Sequence, residues 1–468
     1  MKRTVYFSFT FVLLGLSFYL LAGNKSPLNP PFHQKKVKIS KEVIRTVKEQ
    51  NRKKRRLIVL SIDGFPGYYA EKNSSIYKLT PNLNKLREKS LFSNRVRSVY
   101  PSLTYPAHTS MITGLEPNHH KIQANRPFDP FGKVSPGSWH WFHEDIAVKT
   151  VWDYAEEANY KVASVYWPVS VGANITYNIP QYWRHKTADD VKILRALSTK
   201  GLYREIEEAT GLQVAEHTGD TEKMKAAIAL WKLKRPDILF IYATDLDTVQ
   251  HLYGTYSKAA KKVIKTIDKL LGELIQTTKL YQDPSLSLMV VSDHGFRKFR
   301  NMCYPNKTLI NMGHINVGKK RWNYVFRSHG GIATLLKNTG TDTYSKKKLS
   351  ILLLKKKMAR ACPSAKFVSK GKVFRRIKKR LDERTIAALY APKNFIFSRN
   401  ISSKYSWVHF KGTGHHHGFL PTDEQMYTIG LVYPKRKLRV MRKVTDVFLY
   451  SCHWMRLKCK RGVARKGL

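Results

Sequence analysis

Acidic residues are scarce in this chain of 468 residues: 33 Asp and Glu stand against 84 Lys and Arg, a formal net charge of +51. The surplus has two readings. One is attraction to anionic partners such as phospholipid headgroups, lipopolysaccharide or nucleic acid; the other is a proteome-wide bias with no function of its own. The basic residues are spread along the chain, with runs at Lys53–Arg56, Lys355–Lys357 and Arg375–Arg380 and a basic tail. No nucleic-acid-binding motif of a recognised type accompanies them, so sequence-specific nucleic-acid binding is not expected. Cysteine is sparse, at Cys303, Cys362, Cys452 and Cys459. Four cysteines permit three full pairings, of which Cys452–Cys459 closes the shortest loop, and four free thiols are the alternative. No internal repeat is visible, which excludes a solenoid. No Ser-His-Asp pattern stands out. Only one long apolar run exists, from about Val5 to Ala22 after Met1-Lys-Arg-Thr. It reads as an export signal or as an uncleaved membrane anchor, since Leu20-Leu21-Ala22 matches an A-x-A cleavage site poorly. Either reading puts the remainder outside the cytoplasm, after a basic linker over residues 23–56.

What the chain does have is a set of apolar runs that end in metal-ligand residues. RLIVLSIDGF (Arg56–Phe65) reads as a buried parallel strand closing on Asp63-Gly64. The run from Asp237 ends in carboxylates, and Asp247 and His251 stand four apart, on one face if the segment is helical. The run from Leu286 ends in Asp293-His294. Each has a bland reading, since Asp-Gly after a strand is ordinarily a turn and Asp-x-x-x-His ordinarily a solvated helix face. Repetition favours the other reading: ligand groups gather at the carboxyl ends of strands in open α/β sheets. A further segment, Gly412–Phe419 (GTGHHHGF), adds His415, His416 and His417.

The stretch Val99–Gly114 (VYPSLTYPAHTSMITG) places the Thr104 hydroxyl at a helix start, with Pro106 in the first turn. A helix N-terminus suits a phosphate, and a metal-activated threonine hydroxyl can attack phosphorus. Ligand-type side chains around one hydroxyl fit a two-metal site with N and O ligands.

In this order the motifs resemble the nucleotide pyrophosphatase/phosphodiesterase family of the alkaline phosphatase superfamily, most of all the bacterial type I phosphodiesterases. The similarity runs from about Arg56 to about Pro434. It implies an α/β fold, an alkaline-phosphatase-like α/β/α sandwich with a mostly parallel central sheet and a cap-like insertion at about 303–400. The domain would span 57–434, with a basic segment at 435–468 behind it. The resemblance makes Thr104 the nucleophile. Asp63, Asp293 and His294 would join Thr104 on one zinc, with Asp247 and His251 on the other. The last ligand falls on His417, because only it precedes Gly418-Phe419. Asn125, 21 residues after Thr104 as in the bacterial members, would hold a phosphate oxygen. Tyr166 and Trp167, in AlaSerValTyrTrpPro168, would wall the substrate site and stack on a base; ordinary packing is the competing reading.

The implied activity is hydrolysis of phosphodiester or pyrophosphate bonds in nucleotide-type substrates through a covalent Thr104 intermediate, with two Zn2+ as cofactors. A phosphomonoesterase on the same scaffold is the main alternative, with Arg184 or Lys186 as the extra cation. A phosphoethanolamine-type transferase is disfavoured by the shortage of membrane spans. A non-catalytic basic module is disfavoured by the intact ligand set. The expected location is periplasmic or otherwise extracytoplasmic, and an anionic membrane surface is a further candidate partner.

Overall fold

The computed structural model describes residues 54–133, 138–183, 189–213, 218–340, 343–345, 347–401 and 403–464. The N-terminal apolar run, the linker up to residue 53, Arg184, Lys186 and the last four residues lie outside that set. Among the described residues no helix is long and apolar enough to cross a membrane.

The strands appear in chain order as β1 (Arg56–Ile62), β2 (Leu91–Val96), β3 (Val162–Val165), β4 (Tyr177–Ile179), β5 (Ile238–Ala243) and β6 (Leu286–Val291). Then follow β7 (Arg297–Cys303), β8 (Ile315–Asn316), β9 (Arg321–Trp322), β10 (Tyr324–Ser328), β11 (Ile332–Lys337), β12 (Lys366–Val368), β13 (Thr385–Tyr390), β14 (Asn394–Phe397), β15 (Trp407–His416) and β16 (Thr428–Tyr433). Seven of them form the central sheet in the order β2-β16-β6-β1-β5-β3-β4. Only β16 runs against the rest, antiparallel to both β6 and β2. Side chains alternate faces along a strand, yet Leu57–Ile62 are buried without a break, so both faces of β1 are covered. One set of covering helices is Pro81–Glu88, Asp220–Lys234 and Lys258–Thr277; another is Thr104–Thr113, Val151–Glu157 and Asp446–Met455. The α/β class and mostly parallel sheet expected from the apolar runs are what the chain adopts.

The segment between β6 and β16 leaves this sheet. It builds an antiparallel four-stranded sheet, β10-β11-β13-β12, and a three-stranded sheet, β14-β7-β15. Leu309, Val325, Leu335, Leu354 and Leu389 give it an apolar cluster of its own. A disulfide between Cys303 and Cys362 ties β7 to the end of the helix Ile351–Ala361. The other pair is Cys452–Cys459, so the free-thiol alternative is not realised. The basic C-terminal segment is no appendage: Val447, Phe448, Trp454 and Met455 belong to the main core.

Two features aim this fold at its upper edge. Strands β1, β5 and β6 are parallel and adjacent, so their carboxyl ends lie side by side. The helix Thr104–Thr113 ends in Gly114 at φ +69°, with Phe448 packed against the glycine. A Cβ there would stand 2.7 Å from the Phe448 ring. Gly114→Ala therefore combines a left-handed backbone with an overlap against the core, and should lower unfolding free energy by about 1–3 kcal/mol. Chemical denaturation checks this; a loss under ~0.5 kcal/mol would mean the turn relaxes at no cost.

Candidate active site

Four loops meet where β1, β5 and β6 end. Asp63 follows β1 directly and is held to β5 by its N–H to the Ala243 carbonyl, 2.9 Å. Gly64 then turns at φ +65°, and its N–H donates to Asp293 Oδ1 at 3.0 Å. A Cβ on Gly64 would lie 2.6 Å from Phe296, so this turn demands glycine. After β5 the chain enters the helix Asp245–Tyr253, which carries Asp247 and His251 on one face with His251 Nε2 3.5 Å from Asp247 Oδ1. After β6 come Asp293 and His294. Strand β15 supplies the fourth approach and delivers His417.

The side chains converge tightly. His294 Nε2 lies 3.4 Å from Asp63 Oδ1 and 3.2 Å from Asp293 Oδ2, and Thr104 Oγ1 is 3.3 Å from the same nitrogen. His417 Nε2 stands 3.8 Å from Asp247 Oδ1, and the His417 and His294 rings stack at 3.7 Å. Asp63, Asp293 and His294 offer ligand atoms within 4.8 Å of one another, and so do Asp247, His294 and His417. His251 reaches the second group through Asp247.

The donor set fits metal ions. Asp63 Oδ1, Asp247 Oδ1 and Asp293 Oδ2 are buried without a hydrogen-bond partner, and all three face these groups. Unpaired buried carboxylate oxygens are costly unless a cation meets them. The histidines are oriented for the same purpose. His251 Nδ1 faces the His415 carbonyl at 3.1 Å, His294 Nδ1 the Gly295 carbonyl at 3.3 Å and His417 Nδ1 the Ser102 carbonyl at 3.2 Å. A carbonyl only accepts, so Nδ1 carries the proton and Nε2 presents its lone pair to the cluster.

Electrostatics agree. Burial, then Asp293 and Asp247, push the Asp63 carboxyl well above its usual range, and burial raises Asp247 as well. Burial would raise Asp293 too, but His294, His108 and the Gly64 N–H hold it low. Burial and the neighbouring His294, His416 and His251 keep His417 neutral. The Tyr242 hydroxyl donates to Asp63 Oδ2.

Thr104 opens its helix, as expected. Asn125 caps that helix: its Oδ1 accepts the Tyr105 N–H at 3.1 Å, which leaves its NH2 end for other partners. His108, one turn on, fixes the helix start by holding the Thr104 carbonyl with Nδ1 at 2.8 Å and meeting Ser61 Oγ with Nε2 at 2.9 Å. Its four-residue spacing from Thr104 was the signal available in the sequence.

A cavity of about 520 Å3 opens above, and Thr104, Asn125, Asp63, Asp247, His251 and His417 reach its wall. Tyr166 lines it as well. Trp167 does not. It is fully buried between His108 and Phe240, with ring centroids at 5.1 and 5.0 Å, so it packs the core instead of stacking on a base. The aromatic wall consists of Tyr105, Trp139 and Trp183 beside Tyr166. Trp139 and Trp183 lie 5.0 Å apart in a cluster with Trp141 that no sequence motif announces. Of the other histidines in the run, His416 lines the cavity while His415 packs against Gly254. Gly418 is fixed by crowding: at φ +81°, its Cβ would fall 1.7 Å from the His329 carbonyl oxygen.

Known proteins share this fold. The structure of murine ectonucleotide pyrophosphatase/phosphodiesterase 5, an inactive variant in complex with AMP, superposes with a TM-score of 0.60 at 19% identity, covering 88% of this chain and 98% of that one. Among curated proteins, an uncharacterized pyrophosphatase/phosphodiesterase of Schizosaccharomyces pombe is 28% identical over 245 residues, 51% of this chain and 44% of that protein. Rat ectonucleotide pyrophosphatase/phosphodiesterase family member 3 is 28% identical over 250 residues, 51% of this chain and 24% of that protein. The aligned part is thus less than half of each relative's length. The family described as type I phosphodiesterase / nucleotide pyrophosphatase matches residues 57–390, and the chain belongs to that family.

Proposed function

We propose that this chain hydrolyses phosphodiester or pyrophosphate bonds of nucleotide-type substrates, with Thr104 as the nucleophile. The observation that carries the reading is the Thr104 hydroxyl at a helix N-terminus, 3.3 Å from His294 Nε2 and beside three buried carboxylate oxygens without partners. Asp63, Asp293, His294 and Thr104 would hold one ion; Asp247, His251 and His417 would hold the other. Zinc suits this mixed carboxylate and imidazole set. Bound ions would lower the pKa of the attacking hydroxyl and neutralise charge on the phosphoryl group.

The protein's own part follows. Thr104 Oγ1 attacks phosphorus and loses its proton to solvent, and the bond to the leaving oxygen breaks. The Asn125 NH2 and the helix N-terminus meet the equatorial oxygens, where charge develops. Water then attacks phosphorus in the nucleotidylated Thr104, the bond from phosphorus to Oγ1 breaks, and Oγ1 regains a proton as the nucleoside phosphate leaves. Tyr105, Tyr166, Trp139 and Trp183 offer flat apolar surface for a base, in keeping with the AMP bound by the murine relative. In the same reading, the catalytic domain starts near residue 57 and runs past 434, since Val447 and Phe448 join its core, with the insertion at about 303–400 beside the cleft. Residues 1–22 direct export or anchor the chain, and the basic surplus draws anionic substrates or an anionic membrane. Rates on bis(p-nitrophenyl) phosphate and p-nitrophenyl phosphate test the diester assignment; faster monoester turnover would reverse it.

Thr104→Ala should abolish turnover and leave fold and metal content in place. Steady-state rates within about tenfold of the parent would remove Thr104 as the nucleophile.

Dialysis against a chelator should abolish activity, and zinc should restore it best. Full activity of the metal-free protein, or rescue by magnesium alone, would contradict the two-zinc assignment.

His417→Ala should lower metal occupancy and activity by at least roughly 100-fold, more than the loss of an outer partner costs. His415→Ala and His416→Ala should be much milder. Metal analysis with kinetics ranks the three, and a larger loss at His415 or His416 would move the ligand.

A further inference from the structure

A second recess of about 210 Å3 adjoins the catalytic cavity, and Asn125 and Arg399 line both. Three guanidinium groups converge on it. Arg126 follows Asn125, Arg327 lies on β10, and Arg399 follows β14. The body and the inserted segment thus each contribute. Arg126 stacks over Trp139 at 5.2 Å, which joins the recess to the aromatic wall. Arg327 donates to the Arg126 carbonyl at 2.7 Å and lies over Phe128 at 5.4 Å.

The charge is compensated only in part, since Asp382, already paired with Arg384, also acts on Arg327. Among the described residues none of Arg126, Arg327 and Arg399 forms a salt bridge, whereas the neighbouring Arg384 is paired with Asp382 at 2.6 Å. Asp129 lines the recess and Asp382 acts on Arg327, but two carboxylates do not offset Arg126, Arg327, Arg399 and Arg384 together. A basic surface is expected of a chain with this composition, but surface arginines ordinarily diverge into water; these face one hollow. Burial brings Arg327 down to about 10; Asp382 opposes this shift, while Arg384 and Arg399 add to it. Such a cluster gains most from an anion with several acceptor oxygens, which guanidinium forks bind bidentately.

We propose that Arg126, Arg327 and Arg399 bind a second phosphate group of the substrate, next to the phosphate that Thr104 attacks. This rests on the phosphodiesterase reading and narrows it: the preferred substrates carry a further phosphate beyond the scissile one. Arg399, on the wall between the two hollows, is the residue that ties the groups together.

Arg327 lines only the recess, so its variants separate the two sites. With Arg327→Gln, KM for ATP should rise at least roughly tenfold. For bis(p-nitrophenyl) phosphate, which has no second phosphate, kcat/KM should stay within about threefold, and Arg327→Lys should recover most of the loss. An equal loss on both substrates, or no change on either, overturns the proposal. Calorimetric binding of pyrophosphate gives a reading independent of turnover. Arg327→Gln and Arg399→Gln should each bind it at least roughly tenfold more weakly than the parent, and unchanged affinity overturns the proposal whether or not the parent is active. Vesicles containing phosphatidylglycerol should bind parent and Arg327→Gln alike. Loss of vesicle binding with pyrophosphate affinity intact would assign the recess to a lipid headgroup and overturn the substrate reading.

Discussion

Three carboxylates, the buried Asp63 and Asp293 and the partly buried Asp247, meet at one edge of a parallel sheet, and the rest of the site answers to the repulsion this creates. Like charges about 4 Å apart repel by about 4 kcal/mol at an effective dielectric constant of 20. Protonation relieves part of it, which is why Asp63 and Asp247 are pushed up. A divalent cation relieves more, since it turns each repulsion into an attraction. The histidines, each tied through Nδ1 to a carbonyl, turn Nε2 towards the cluster and add no negative charge. The unsatisfied carboxylate oxygens and the preset tautomers are two consequences of one demand.

That demand reaches into the fold. Parallel β1, β5 and β6 bring their carboxyl ends level, so three loops distant in sequence share one edge. Gly64 turns where the Phe296 ring leaves no room for a Cβ. The inserted segment closes the circuit: β15 pairs with β7 and carries His417 to Ser102 and Asp247. The segment that provides this ligand also provides Arg327 and Arg399. The segment between β6 and β16 thus supplies both a candidate metal ligand and two arginines of the recess, while the aromatic wall comes from the body.

Much of this was legible beforehand because it is local. A strand that closes on Asp-Gly, a carboxylate and a histidine four apart on a helix, and Asp-His after an apolar run are each set by a few adjacent residues. Neighbouring residues also mark Thr104, since a helix start depends on its own first turn. Trp167 shows where this stops. Its neighbour Tyr166, at φ +63°, faces the cavity, while Trp167 turns into the core. Adjacent positions in an irregular segment point in directions that no periodicity specifies. Trp139 and Trp183 had no motif, and only packing places them on the cavity wall.

The sequence by itself determined the class of the sheet, the helix start that carries Thr104 and the chemical kind of each candidate ligand, because hydrophobic runs and residue types are written in order along the chain. Tertiary structure decided what depends on distance through space. It seats His417 opposite Asp247 and pairs Cys303 with Cys362 across 59 residues. It also directs three arginines from three separate segments into one hollow. Coulomb energy and van der Waals overlap depend on separation in space, and chain order constrains that separation only between near neighbours.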